Sequence, residues 1–484
     1  MNSRNKIVSA TKWSATAELV AKLISPVTNI ILARLLTPEM FGVVVTVTLV
    51  VSFADIFSDA GFQRYIVQHN FNDEKDKFKT SNVAFTVHLL ISIFLWAFIF
   101  VFRTPIAKLI GSPGSELAIV ISCVSLPIAA LSTVQMALFR RDLDYKRLFK
   151  IRFLGVITPL IVTVPLAYIY HSYWALIIGT IASNIVTTIS LTIYSKWKPQ
   201  FCIDRKVLQE MMSFSLWSLT ESILTWLTSY IDIMILSNVL TIHYIGVYKT
   251  AMVTSNQILS LVTATTTTVL FSSLSRVQDN EKELQNIFFS YQRLVSYIVV
   301  PLGVGLYLFR DVVSSILLGS QWGEATNFIG LWGIVGGFYI LLGSYASELY
   351  RATGKPKISA IAQAIYIVVI VVLLRYFINS SFETLYTMRT ASRVLFILIH
   401  FVLLRLYTCI SPLRMIPNIF PAIFASAVMS MVFFVINFFY YKESIIWIII
   451  TIVSCIIAYA VVIMLIPSAR QEILHFTKRY IIKK

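Results

Sequence analysis

Four polar residues near the start of the chain share one helical face. Glu18, Lys22, Ser25 and Asn29 follow one another at steps of four, three and four. Pro26 lies in the same stretch and cannot donate to the carbonyl of Lys22, so a polar stripe runs beside an interrupted backbone. That combination suits a helix that gates a pathway or faces a substrate. It also suits a Glu–Lys pair that neutralises itself one turn apart. Asp55 and Asp59 are again four apart, with Arg64 just over a turn further on. Two carboxylates on one face in a low-dielectric setting repel, which fits a proton or sodium site, unless they pair with Arg64. A third stripe comprises Ser218, Glu221, Ser222, Thr225, Ser229 and Asp232, and either faces a cavity or glues helices together. Lys249 is a natural cationic partner for its two acids, or a snorkelling side chain. The substrate-facing candidates are therefore Lys22, Asn29, Arg34, Glu221, Asp232 and Lys249. Glu18, Asp55 and Asp59 are the candidates for ion coupling.

The elements that must hold these groups follow from composition. Of 484 residues, 57% are hydrophobic and 13% charged, and mean hydropathy is +0.78. Soluble domains carry roughly 25% charged residues, so a soluble enzyme and a disordered scaffold are both excluded. Four cysteines and six histidines, all scattered, supply neither a disulfide framework nor a metal site. No phosphate-cradling Gly-rich loop, nucleophile elbow or metal-ligand cluster occurs, which favours a secondary transporter over a pump or a membrane enzyme. No cofactor is expected beyond a coupling proton or sodium ion.

A helix needs about 20 mostly apolar residues to cross the membrane. Fourteen stretches qualify: 13–36, 41–66, 82–102, 115–139, 151–170, 173–195, 210–238, 245–273, 286–309, 325–350, 358–379, 384–406, 415–439 and 444–466. Basic residues concentrate in the N-terminus, every second loop and the C-terminal tail. The opposite loops hold only Arg103, Lys108, Arg310 and Lys442. This alternation places both termini in the cytoplasm. The net charge of +17 is spread over many short segments, so it reports topology and not nucleic-acid binding. The first span keeps Glu18 and Lys22 and lacks a small-residue cleavage site, so it is expected to stay in the mature protein. Arg34, Arg375, Arg389 and Arg393 lie near outer span ends, where snorkelling or ion pairing accounts for them; the alternative is a cationic lining. The glycines of the tenth span suit close helix contact. The hydroxyls of Thr265 to Thr268 suit bonding back to the backbone.

Residues 31–43 and 235–247 match without a gap at Ile, Leu, Leu, Thr, Gly and Val, an offset of 204. An internal repeat of this kind pairs spans 1–6 with spans 7–12, both running the same way, with spans 13 and 14 outside the symmetric core. The expected divisions are 1–206, 207–414 and 415–484.

The stretch Ala33-Arg34-Leu35-Leu36-Thr37-Pro38-Glu39-Met40-Phe41-Gly42 resembles a segment of polysaccharide exporters. So do Asp59-Ala60-Gly61-Phe62, Arg140-Arg141-Asp142-Leu143-Asp144-Tyr145, Tyr230-Ile231-Asp232 through Gly246-Val247-Tyr248, and Ala352-Thr353-Gly354-Lys355-Pro356-Lys357. In order and spacing the chain resembles Wzx-type flippases of the multidrug/oligosaccharidyl-lipid/polysaccharide exporter superfamily, on the colanic and teichuronic acid branch. Ile242-His243-Tyr244-Ile245 departs from the more polar turn usual there. The resemblance implies an all-α, V-shaped core like that of the MATE drug exporters. It implies a bacterial inner-membrane protein that moves undecaprenyl-diphosphate-linked oligosaccharide outward by alternating access, coupled to proton or sodium entry. Membrane lipids, a polysaccharide polymerase and chain-length proteins are the implied partners. The rival readings are a drug/cation antiporter and a membrane glycan polymerase or ligase. The second would need a large external loop, and none is present.

Overall fold

The structure, a computed structural model, describes residues 3–59, 61–71, 73–439 and 444–472; the side chains of 3–12, 15, 19, 213–218, 221, 264, 265 and 268 fall outside it. Lys442 of the outer basic set therefore lies outside the described residues. The chain is all-helical. The first half comprises α1 (Ser3–Leu35), α2 (Pro38–Asp59), α3 (Glu74–Val101), α4 (Glu116–Arg141), α5 (Tyr145–Tyr170), α6 (Trp174–Tyr194) and α7 (Arg205–Leu236). The second comprises α8 (Ile242–Arg276), α9 (Glu281–Leu308), α10 (Ser320–Ala352), α11 (Pro356–Tyr376), α12 (Phe382–Tyr407), α13 (Pro412–Phe439) and α14 (Ile445–Leu465). Each stretch read from the sequence overlaps one of them; the second, read as 41–66, ends at Asp59, and a separate short helix, Phe62–Gln68, follows the left-handed Gly61. Twelve helices among the described residues are long and apolar enough to cross a membrane. Of α7, the described apolar part is the shorter stretch Ser222–Leu236.

Short polar residues start several of these helices. Asp73 accepts from the Asp76 amide at 2.7 Å before α3, Asn280 from Glu283 at 3.2 Å before α9, and Ser381 from Thr384 at 3.3 Å before α12. Asp204 caps α7 by accepting from Lys206 and Val207 at 2.9 and 3.2 Å. Its other oxygen pairs with Lys79 at 2.5 Å, which holds the Asp204 carboxyl below the usual carboxylate range.

Two compact units result, Met1–Lys249 and Thr250–Lys484. The first has a core of Phe62, Ile66, Val83, Ala84, Val134 and Trp197, where α3, α4 and the short helix Phe62–Gln68 meet. In the second, α9 and α10 pack closely: a Cβ on Gly303 would stand 3.1 Å from the Gly333 carbonyl. The small residues read in the tenth span thus do bring two backbones together. Thr266 and Thr267 donate to the carbonyls of Val262 and Thr263, at 3.0 and 2.6 Å, as their sequence suggested.

The two matched segments meet. Within the first unit a Cβ on Gly42 would meet the Ile242 carbonyl oxygen at 1.9 Å, and one on Gly246 the Pro38 oxygen at 1.9 Å. Glu39 and His243 pair at 2.6 Å. Positions 38, 39 and 42 correspond to 242, 243 and 246 at the offset of 204, so the contact between α2 and the start of α8 is reciprocal. Further along the offset becomes 207. Helices α3 and α9 are both 28 residues long. Each is followed by an arginine, Arg103 or Arg310, that donates to a carbonyl three residues back, Phe100 at 3.2 Å or Tyr307 at 3.1 Å. Each arginine also stands 5.0 Å from that residue's ring. Three inserted residues separate the two registers.

Candidate functional site

The stripe on α1 reaches α5. Glu18 lies 3.9 Å from Lys22 and 2.8 Å from Arg152, so one carboxylate holds two cations. Further along α1, Ser25, Thr28 and Asn29 line a cavity of about 430 Å³, closed by Phe41 of α2, Gly155 and Pro159 of α5 and Thr180 of α6. Its shape follows from Pro159. Lacking an N–H, that residue leaves the Gly155 carbonyl without its helical partner, and the helix widens to a π turn over Pro159–Thr163. Ser183 of α6 donates to that carbonyl at 2.7 Å, replacing the lost bond. On α1 the helix runs unbroken through Pro26.

Asp55 is exposed on α2, and Asp59 closes the helix half-buried. The two carboxylates act on each other electrostatically, while Arg64 and Arg140 act on Asp59. One oxygen of Asp59 is buried without a hydrogen-bond partner among the described residues. A second cluster forms where α7 turns into α8. Asp232 is fully buried and accepts from the Tyr248 hydroxyl at 3.0 Å and the Ile233 amide at 2.8 Å. One residue along, Lys249 donates to the Ser229 carbonyl at 3.3 Å and stands 4.6 Å from the Tyr230 ring. The two candidates Asp232 and Lys249 thus share one hairpin. The Glu221 side chain, and that of Ser218 beside it in the stripe, lie outside the described residues, and Arg34 is exposed at the end of α1.

The arginines of α12 depart from their sequence reading. Arg389 is 4% exposed, donates to the Tyr366 hydroxyl at 2.7 Å and the Ser392 hydroxyl at 3.1 Å, and stands 5.1 Å from the Trp332 ring. Arg393 sits 3.7 Å from the same indole and donates to the Asn256 side chain at 3.3 Å. Trp332 donates to that same oxygen at 3.1 Å. Two guanidinium groups therefore lie against one indole, an arrangement of rings and not the water-seeking pose of snorkelling. Their four-residue spacing was the available signal; the aromatic partners on α10 and α11 were too distant in sequence to read. Arg375 is exposed.

Polar and ionic groups held on long apolar helices, one of them interrupted at Pro159, define a multi-pass membrane protein. The chain belongs to the polysaccharide biosynthesis protein family, whose model matches residues 31–327. It is 24% identical over 322 residues to the succinoglycan biosynthesis transport protein ExoT of Rhizobium meliloti strain 1021, covering 66% of this chain and 64% of that one. Its fold is similar to that of the lipid II flippase MurJ in an inward closed conformation, with a TM-score of 0.77 at 16% identity over 94% of this chain and 98% of that one. It is also similar to an inward-facing multidrug resistance MATE transporter of the MOP superfamily, with a TM-score of 0.64 at 14% identity over 82% and 95%. The all-α, MATE-like fold read from the sequence is thereby confirmed.

Proposed function

We propose that the protein is a flippase that carries an undecaprenyl-diphosphate-linked oligosaccharide from the cytoplasmic to the outer leaflet of a bacterial inner membrane, for assembly of a surface polysaccharide. The observation that carries this reading is the set of cations kept within the spans: Lys22, Lys249, Arg389 and Arg393. A diphosphate crossing the bilayer needs such groups, because isolated anions are costly there and charge-assisted bonds offset that cost. Asn29 and the polar cavity beside it offer hydrogen bonds to a glycan. The apolar helices α13 and α14 give the prenyl chain a wall open to lipid; α14 has a mean hydropathy of 3.0. The succinoglycan transport relative supports a polysaccharide cargo.

Alternating access runs between two six-helix repeats, 1–206 and 207–414, with 415–484 added outside them. Both termini are cytoplasmic by the basic-loop pattern. Glu18, Asp55 and Asp59 couple the cycle to proton or sodium entry, and Arg34, Glu221 and Asp232 complete the lining. A polymerase and chain-length proteins receive the product. The test is transfer of a labelled prenyl-diphosphate disaccharide across proteoliposomes. Lys22→Ala is expected to slow transfer at least tenfold while inserting normally; full transfer removes Lys22 from the site. Asp55→Asn with Asp59→Asn is expected to flatten the pH profile, and an unchanged profile removes the coupling assignment.

A further inference from the structure

We propose that the loop end of the Met1–Lys249 unit carries a saccharide-binding pocket, floored by Gln135 and Trp197, that holds the sugar portion of the cargo. A cavity of about 540 Å³ opens there between the start of α3, the end of α4, the start of α5 and the link from α6 to α7. These are the segments that the basic loops assign to the cytoplasm. The size lies within the range of small-ligand sites, roughly 300–1,000 Å³.

Its floor is polar and unmet. Gln135 is fully buried, and among the described residues neither its Nε2 nor its Oε1 has a hydrogen-bond partner. Trp197, 4% exposed, likewise keeps its Nε1–H without a partner, while its ring packs edge-on to Phe85 at 6.1 Å. Such groups are costly to leave orphaned, and together they demand a ligand that both donates and accepts. A phosphodiester or carboxylate has no O–H to give and leaves Oε1 unmet. An ammonium only donates and leaves Nε2 and the indole N–H unmet. Adjacent sugar hydroxyls satisfy all three.

The rim agrees with an uncharged ligand. Lys77 pairs with Glu74 at 3.5 Å and Arg147 with Asp144 at 3.2 Å, so two of its cations are already matched. Asp142 and Lys196 add one exposed charge of each sign, and Lys146, the remaining cation, stands 5.9 Å from the Trp13 ring. Leu143 holds the rim in shape with a φ of 57°, a left-handed conformation rare for leucine.

The inference rests on the transport reading for the kind of molecule bound, and on the pocket alone for the binding. The test uses the full chain in nanodiscs and saturation-transfer NMR with free hexoses, N-acetylhexosamines and 6-deoxyhexoses, with dimethyl phosphate, which only accepts, as a contrasting probe. At least one sugar is expected to bind, and to weaken roughly tenfold in Gln135→Leu, the worth of one to two hydrogen bonds. Trp197→Phe, which keeps the ring, is expected to weaken it severalfold. Gln135→Leu should melt no lower than the parent, because it removes an orphaned group. The proposal is overturned if no sugar in the panel binds, if dimethyl phosphate competes with it, or if Gln135→Leu binds equally. A lower melting temperature in Gln135→Leu without sugar binding by the parent would assign Gln135 to a buried water only. Sugar binding without flipping would remove the transport reading and keep the pocket, and flipping without sugar binding would do the reverse.

Discussion

Replacing Gly42 or Gly246 by alanine probes the reciprocal contact between α2 and α8. The added methyl would lie 1.9 Å from the carbonyl oxygen of Ile242 in the first case and of Pro38 in the second. Carbon and oxygen settle at about 3.3 Å, so the helices must part by roughly 1.4 Å. Both obstacles are backbone atoms, so no side chain can swing aside. Overpacking of this kind costs about 1–3 kcal/mol, and the upper part of that range is expected for each variant. Because either methyl opens the same gap, the second should cost less once the first is in place. The double variant should therefore fall short of the sum by at least about 1 kcal/mol. Glu39 and His243 flank the contact, and their pair should break in all three proteins. Thermal unfolding of purified single and double variants in one detergent measures this. Parent-like stability in either single variant, or full additivity in the double, would refute the reciprocal contact.

Ser183→Ala leaves the Gly155 carbonyl without a donor and should cost about 1–3 kcal/mol in thermal unfolding. Pro159→Ala should recover most of that loss in the same protein, because the new N–H returns the helical bond. Arg393→Lys loses planar stacking on Trp332 and should destabilise by about 1 kcal/mol, with a matching change in Trp332 fluorescence. The pairing of Asp204 with Lys79 stabilises the charged carboxylate, so its contribution is complete above the ordinary carboxylate range. It is lost as pH falls through the depressed value. Hydrogen exchange at the Lys206 and Val207 amides should accelerate only in that acid range, and Asp204→Ala should show fast exchange at every pH.

The helices were legible because a membrane span is a composition and a length. Even α7, with its polar stripe from Ser218 to Asp232, was readable as a span. The reciprocal contact was half legible. Thr37 and Gly42 matched Thr241 and Gly246, but the shift from 204 to 207 hid the partnership of Arg103 with Arg310. Spacing along one helix also found the Glu18–Lys22 pair, yet not its second cation, Arg152, which belongs to another helix. The aromatic setting of Arg389 and Arg393 was hidden for the same reason: periodicity gives a face, and tertiary packing decides what that face meets. Pro159 was a readable break, whereas its repair by Ser183 was not.

The most direct test of the account is the leaflet position of prenyl-diphosphate-linked glycan in cells with and without this protein. Loss is predicted to trap the glycan on the cytoplasmic leaflet, and re-expression to release it. Glycan that reaches the outer leaflet unaided and stays unpolymerised would contradict the flippase reading.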